Sequence, residues 1–225
     1  MRRRIQPMPQ RPSPELLEGF RELLKIYSPS CVVADSMERD GVMHSSLKPV
    51  FPCRFVGPAL TVKLFPGDLV DCLDALAVAQ AGDVIVVSAG GETETSVWGG
   101  LMAGLCKQKG VVGAVVDGAI RDIDEIRDLG FPIFSRAVVP RSTHSPYSGR
   151  LEPIEVNVPI ICGGVLVRPG DLVLADEIGV VVIPLEEAAE ILTRARQQAE
   201  KEEATRQWIR AGKTVEEILQ AFGRL

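Results

Sequence analysis

The sequence holds only two histidines, His44 and His144, in 225 residues. A metal centre built from several histidines is excluded by that count. A Ser-His or Cys-His mechanism would have to use one of the two, and neither lies beside a nucleophile-like turn. If a metal is bound, carboxylates must hold it, which points to Mg2+ or Mn2+ with retained waters. No run of about 18 apolar residues exists, so no segment reads as a membrane span and no membrane partner is expected. There is no G-x-G-x-x-G after a strand, no G-x-x-x-x-G-K-[ST] and no G-x-S-x-G, so the common dinucleotide, phosphate and serine-nucleophile turns are missing. Positive charge is short as well: 25 Lys and Arg against 30 Asp and Glu leave a net charge of −5. A broad nucleic-acid surface needs a clustered excess of cations, and none is expected here. The one dense basic run is Arg2, Arg3 and Arg4. The five cysteines (Cys31, Cys53, Cys72, Cys106, Cys162) have neither zinc-ribbon nor redox spacing. Their odd number, with no apolar core in residues 1–14 to make a secretory signal, points to reduced thiols in the cytoplasm.

The chain is 46% hydrophobic and 24% charged, enough apolar material for one folded unit of this length. Residues 1–12, basic and proline-rich, read as a mobile tail. Residues 13–184 read as the folded unit and 185–225 as C-terminal helices. Ser13 and Pro14 look like the cap and first turn of a helix reaching Tyr27. CVVADSM, 31–37, reads as a short strand, and 38–54 as loops. Residues 57–68 read as a strand closed by Pro-Gly-Asp, and 68–83 as a helix. Strands at 83–91, 111–119 and 131–140 alternate with helices at 97–110 and 121–130, the pattern of an α/β core. The first two of these strands are β-branched runs expected to be buried on both faces. Residues 152–160 alternate like an exposed or edge strand, 162–184 read as several short strands, and 185–205 and 214–225 as amphipathic helices.

Two segments place polar groups where buried strands end. GGETETSVWGGLMAG, 90–104, feeds a strand through a glycine-rich, acidic loop into a helix. A helix start exposes free N–H groups that favour anions. DGAIRDIDEI, 117–126, puts Arg121 and Asp122 at the carboxyl end of the next strand, where α/β proteins place ligands. Arg121 offers a planar fork for a carboxylate, and Asp122 a hard oxygen for a divalent cation. A plainer reading makes the first segment a tight connection and Asp122 a helix cap. In a parallel sheet the two strand ends would be neighbours, bringing Gly99, Gly100, Leu101 and Met102 beside Arg121.

Gly-Gly-Leu-Met-Ala at 99–103, the 22-residue step from Gly99 to Arg121, Asp-Gly-Ala-Ile-Arg-Asp at 117–122 and the run CGGVLVRPGDLVLADEIGV at 162–180 together resemble one family. It is the RraA-like / 4-hydroxy-4-methyl-2-oxoglutarate aldolase family, and the likeness covers residues 28–190. The resemblance implies an α/β fold of the β/β/α swivelling type, assembled as a homotrimer or a dimer of trimers. It implies a class II, divalent-metal-dependent lyase that cleaves pyruvyl-type aldols, decarboxylates oxaloacetate, or both. By position, Arg121 and Asp122 match the catalytic pair, Arg121 binding substrate and Asp122 the metal. Gly99, Gly100, Leu101 and Met102 match the loop that holds the carboxylate of a small 2-oxo acid. The alternative within the family is a non-catalytic regulator that binds a ribonuclease.

The chain departs from the aldolase motif at one place. The position that carries an acid in G-[DE]-x-[LM]-A is Gly100 here. Aldol cleavage needs a base for the C4 hydroxyl, whereas decarboxylation does not, so the departure bears on cleavage first. Glu92 and Glu94 are the upstream acids that could replace it. Arg39, His44, Lys48, Arg141 and His144, on the loops 38–54 and 141–150, are candidates to meet a second carboxylate. Asp176 and Glu177 read as turn formers.

Overall fold

Residues 4–65, 72–143 and 154–223 are described by the computed structural model. In chain order they form β1 (Arg4–Ile5), α1 (Pro14–Leu23), α2 (Pro29–Ser36), β2 (Lys48–Pro49), β3 (Phe55–Leu64), β4 (Val84–Trp98), α3 (Gly100–Gln108), β5 (Gly113–Ile120), α4 (Ile123–Leu129), β6 (Ile133–Val138) and β7 (Ile154–Val156). The remainder is β8 (Ile160–Cys162), β9 (Val165–Val167), β10 (Leu172–Ala175), β11 (Val180–Ile183), α5 (Ala188–Arg210) and α6 (Val215–Phe222). The mixed α/β class expected from the sequence is the class found.

The central sheet runs β1-β7-β3-β4-β5-β6-β2, with β3, β4, β5 and β6 parallel. Period-two burial separates its two faces. Ile85, Val87, Ala114 and Val116 join a core beneath α3 and α4. Their neighbours Val84, Val86 and Val115 face a second layer containing β8 to β11. That layer repeats the device: Val173, Val180 and Val182 face the sheet, while Leu172, Leu174, Val181 and Ile183 face α1, α2 and α5. Strand β3 belongs to both layers. Its first half, Phe55–Pro58, pairs antiparallel with β10, and its second half, Ala59–Lys63, pairs parallel with β4.

Four expectations are corrected. Residues 31–37 are helical within α2, not a strand. Pro29 stands in the first turn. Buried Asp176 accepts the Ser30 N–H at 2.9 Å and the Ser30 hydroxyl at 2.8 Å. Asp176 also accepts from Ile178 N at 2.9 Å, so one carboxylate forms the expected turn and caps a distant helix. The expected helix at 68–83 is reduced, over its described part, to a 3-10 turn at Leu73–Ala77. The strand expected to end near residue 91 continues to Trp98. Between Ser88 and Trp98 it pairs with only Asp117 to Ile120 of β5, and the surplus is spread over three register shifts, the first of which contains Gly90 and Gly91 at φ of 68° and 76°. The described part of the tail, finally, is docked. β1 pairs with β7, and Arg11 grips fully buried Asp83 through two nitrogens at 2.6 and 3.1 Å.

The C-terminal helices pack on their own chain, α5 against α1 and α2, with α6 folded back on α5. Trp208 and Phe222 meet edge to face at 5.1 Å. Among the described residues, no helix is long and apolar enough to cross a membrane.

Candidate functional site

The ends of β4 and β5 lie side by side, Trp98 opposite Ile120. Arg121 N donates to Trp98 O at 2.9 Å, which fixes the two strand ends against each other. From there β4 turns into α3 through extended Gly99, and β5 turns into α4 through Asp122. Asp122 holds φ 54° and ψ 43°, the left-handed region that a non-glycine residue occupies at some cost. That conformation sets aside the reading of Asp122 as a cap of its own helix. Its side chain makes no cap bond to α4. Instead Oδ2 accepts the N–H of Gly100, the first residue of α3, at 3.1 Å. Arg121 Nε stands 3.5 Å from the same oxygen. Both side chains are about two-fifths exposed, 41% and 40%, so each keeps open surface for a ligand.

The two glycines leave room at the join for side chains from the β5–α4 segment. A Cβ on Gly99 would stand 2.5 Å from Asp122 Oδ2 and 3.3 Å from Arg121 Cγ. A Cβ on Gly100 would fall into the carboxylate of Glu125. Leu101 and Met102 follow, and their N–H groups are among those a helix start leaves without intrahelical acceptors. Met102 is buried in the core, while Leu101 is 78% exposed.

These residues line a cleft of about 320 Å³, with Trp98, Gly99, Leu101, Met102, Arg121 and Asp122 on its walls. Ser96, Ser142 and Thr143 complete it. The two last are placed by a short bridge: Ser96 N donates to Arg141 O at 2.8 Å, and Thr143 N to Ser96 O at 3.2 Å. Trp98 stacks on Phe131 at 6.2 Å, and its buried indole Nε1 has no hydrogen-bond partner among the described residues. A larger cleft, about 510 Å³, lies elsewhere, where Arg168 and Arg194 intermix with Glu38, Asp40 and Glu187. Glu187, the N-cap of α5, lines it too, but it is not formed, as the smaller cleft is, where two neighbouring parallel strands end and a helix begins.

The structure thus brings Gly99, Gly100, Leu101, Met102, Arg121 and Asp122 together. The other candidates lie apart. Glu92 sits on the exposed bulge of β4 and spends Oε1 on the Glu94 N–H at 2.6 Å. Arg39 is exposed and 3.9 Å from Asp35. The Nδ1 of His44 is engaged with Ser46 Oγ at 2.9 Å. Lys48 lines a separate hollow beside Arg136, and Arg141 reaches the cleft wall only through its carbonyl. His144 lies outside the described residues. No cysteine lines the cleft. Burial pushes the Cys53 and Cys106 thiols up to about 12, which keeps them protonated and inert. Cys31 is exposed.

Ser96, Ser142, Thr143 and Glu125 were not singled out by sequence. The first three reach the cleft through an isolated bridge that no local pattern announces. Glu125 had one signal: it follows Asp122 by three residues, on the same side of α4.

Comparison with known proteins agrees with this geometry. Residues 30–182 match the family model described as RraA-like, Aldolase/RraA. A Halalkalibacterium halodurans protein named "Putative 4-hydroxy-4-methyl-2-oxoglutarate aldolase" is 38% identical over 177 residues, 78% of this chain and 82% of its own length. A Thermus thermophilus protein named 4-hydroxy-4-methyl-2-oxoglutarate aldolase is 35% identical over 131 residues, 58% of this chain and 76% of its own. Among solved structures, Streptomyces coelicolor RraAS2 matches with a TM-score of 0.73 at 32% identity, over 88% of this chain and 98% of that one. It is described as an unusual member of the RNase ES inhibitor RraA protein family. Fold and sequence agree, and the chain belongs to the RraA-like, Aldolase/RraA family.

Proposed function

We propose that the chain is a divalent-metal-dependent carbon–carbon lyase acting on a small pyruvyl-type 2-oxo acid. Its reactions are cleavage of a 4-hydroxy-4-methyl-2-oxoglutarate-type aldol, decarboxylation of oxaloacetate, or both. The observation that carries the reading is the placement of Asp122. A carboxylate in a left-handed backbone is turned away from its own helix and onto the start of α3, beside Arg121.

The donor set fits Mg2+ or Mn2+. Among the described residues, no three of His, Cys, Asp and Glu gather into a cage. One exposed carboxylate suits a hard ion that keeps most of its waters and takes further oxygens from substrate. Asp122 would hold that ion. When bound, the ion supplies Lewis-acid stabilisation of the negative charge that develops on the 2-oxo oxygen.

The protein's own groups do the rest. The Arg121 guanidinium offers charge-assisted, two-pronged hydrogen bonds to the substrate carboxylate and to the oxygen that becomes an enolate. The N–H groups of Leu101 and Met102 fix the carboxylate at the positive end of α3. Trp98 and Met102 make one wall apolar, which strengthens those contacts by excluding water. Ser96, Ser142 and Thr143 bring hydroxyl-bearing residues to the same cleft.

The test is pyruvate release from oxaloacetate with Mg2+ or Mn2+, with and without EDTA, the rate of free metal being subtracted. Turnover that EDTA removes supports the reading, and a rate no faster than free metal overturns it. A homotrimer or dimer of trimers is proposed for the assembly. Leu101 at 78% exposure, with Leu73 at 46% and Leu105 at 42%, leaves apolar surface beside the cleft mouth for a neighbouring subunit. Light scattering should give three or six times 24.4 kDa; a monomer would refute it. The second reading, a regulator that binds a ribonuclease, draws on the match to RraAS2. Capture of a ribonuclease with no EDTA-sensitive turnover would favour it.

A further inference from the structure

Two carboxylates converge on Gly100. Asp122 takes its N–H at 3.1 Å. Glu125 fills the space where a side chain at 100 would begin, and even its Cγ would stand 2.9 Å from a Cβ there. Glu125 is exposed on the first turn of α4. Among the described residues, its carboxylate has no ion-pair or hydrogen-bond partner. That carboxylate is not part of the cleft lining itself; it stands beside Gly100, between the lining residues Gly99 and Leu101, and, exposed and unpaired, is free to accept a proton.

Aldol cleavage needs such a group, because the C4 hydroxyl must lose its proton as the C3–C4 bond breaks. Arg121 has no acceptor. Asp122 is committed to Gly100 N–H and would hold the ion. Glu92 is committed to Glu94 N–H on the exposed bulge. Glu125 is the acid whose carboxylate lies against Gly100 at the start of α3 with no such commitment.

We propose that Glu125 is the base of the cleavage reaction; this rests on the lyase reading above. Its carboxylate takes the C4 hydroxyl proton, directly or through one water. The C3–C4 bond breaks, C4 becomes a carbonyl, and the bonding pair passes into the enolate of pyruvate. The same proton then returns from Glu125 to C3, giving pyruvate. No oxidant, reductant or further reactant is needed. Gly100 is the companion of this arrangement: the glycine leaves the space that Glu125 enters from α4.

Two variants test this by different means. Glu125→Gln removes the base and keeps the shape. Gly100→Ala keeps the base and pushes it aside, since the obstructing atoms are the movable end of a side chain. Each is assayed for cleavage of 4-hydroxy-4-methyl-2-oxoglutarate, for decarboxylation of oxaloacetate, and for exchange of the pyruvate methyl protons with deuterated water by NMR. Melting curves verify folding. In Glu125→Gln the ratio of cleavage to decarboxylation should fall about 10²–10⁴-fold, the usual contribution of a general base. Methyl exchange, which also needs a base, should fall with it. Gly100→Ala should move the ratio the same way. Cleavage and exchange within about threefold of wild type in Glu125→Gln would overturn the proposal while leaving the lyase reading intact. A wild-type protein inactive in all three assays would overturn both.

Discussion

Asp122→Asn is expected to lower EDTA-sensitive pyruvate release about 10³-fold with little change in melting temperature. The substitution is chosen for what it keeps. Asparagine tolerates the left-handed backbone as aspartate does, and its side-chain oxygen can still accept the Gly100 N–H now held at 3.1 Å. What disappears is the negative charge that would hold the ion and stand beside Arg121, 3.5 Å away. Loss of the ion removes electrostatic stabilisation from the step in which charge develops, and single groups of that kind contribute about 10²–10³-fold. Loss of the ion's own Lewis acidity adds to this. Arg121→Lys is the companion: it keeps the charge, loses the fork, and should raise KM for the 2-oxo acid more than it lowers kcat. Near-normal turnover in Asp122→Asn, measured over a range of Mg2+ concentrations, would remove Asp122 from the reaction.

Arg136→Met should cost about 3–5 kcal/mol, the typical penalty for stranding a buried charge. Asp117, at 6% exposure on β5, is the charge left behind. Arg136 Nε donates to its Oδ1. Gly163 N donates to its other oxygen at 2.8 Å, and Arg136 Nη1 reaches Ser46 Oγ at 2.6 Å. Removing the arginine therefore loosens the central sheet, the turn between β8 and β9 and the loop at Ser46 together. At about 2–4 °C per kcal/mol for a chain of this size, the melting temperature should fall by roughly 10 °C. Arg136→Met combined with Asp117→Asn should recover part of the loss, because no charge is then stranded. Additive losses in the pair would show that the ion pair is not the cause.

The strand-end site was legible because its signals are local. Trp98-Gly99-Gly100 and Ile120-Arg121-Asp122 each follow a β-branched run, and parallel pairing of two such runs aligns their ends. The α/β alternation from 83 to 140 was legible for the same reason. What local pattern hid was supplied from far along the chain. Val32 and Val33 favour a strand by type, yet a carboxylate 146 residues away caps a helix there. The basic tail looked free because its partner, buried Asp83, lies 72 residues from Arg11. The β4 bulges escaped notice because glycines that read as a loop instead sit within a strand that keeps pairing at Glu92, Ser96 and Trp98 while β5 advances only from Asp117 to Ile120. Glu125 was hidden differently. An acid missing at 100 draws the eye to neighbours in sequence, whereas the space beside Gly100 is entered from another helix.

β3 carries a consequence for how the molecule comes apart. A strand bonded to β10 over its first half and to β4 over its second makes each layer part of the other's edge. Peeling off the second layer tears the ladder beside β4, and opening the central sheet strips β10 of its partner. Sub-global opening that frees one layer and spares the other has no boundary along which to occur. The strand ends that form the cleft are anchored in that indivisible unit, while fraying is left to α6 at the far end of the chain. The site is thus mounted on the part of the protein that opens last.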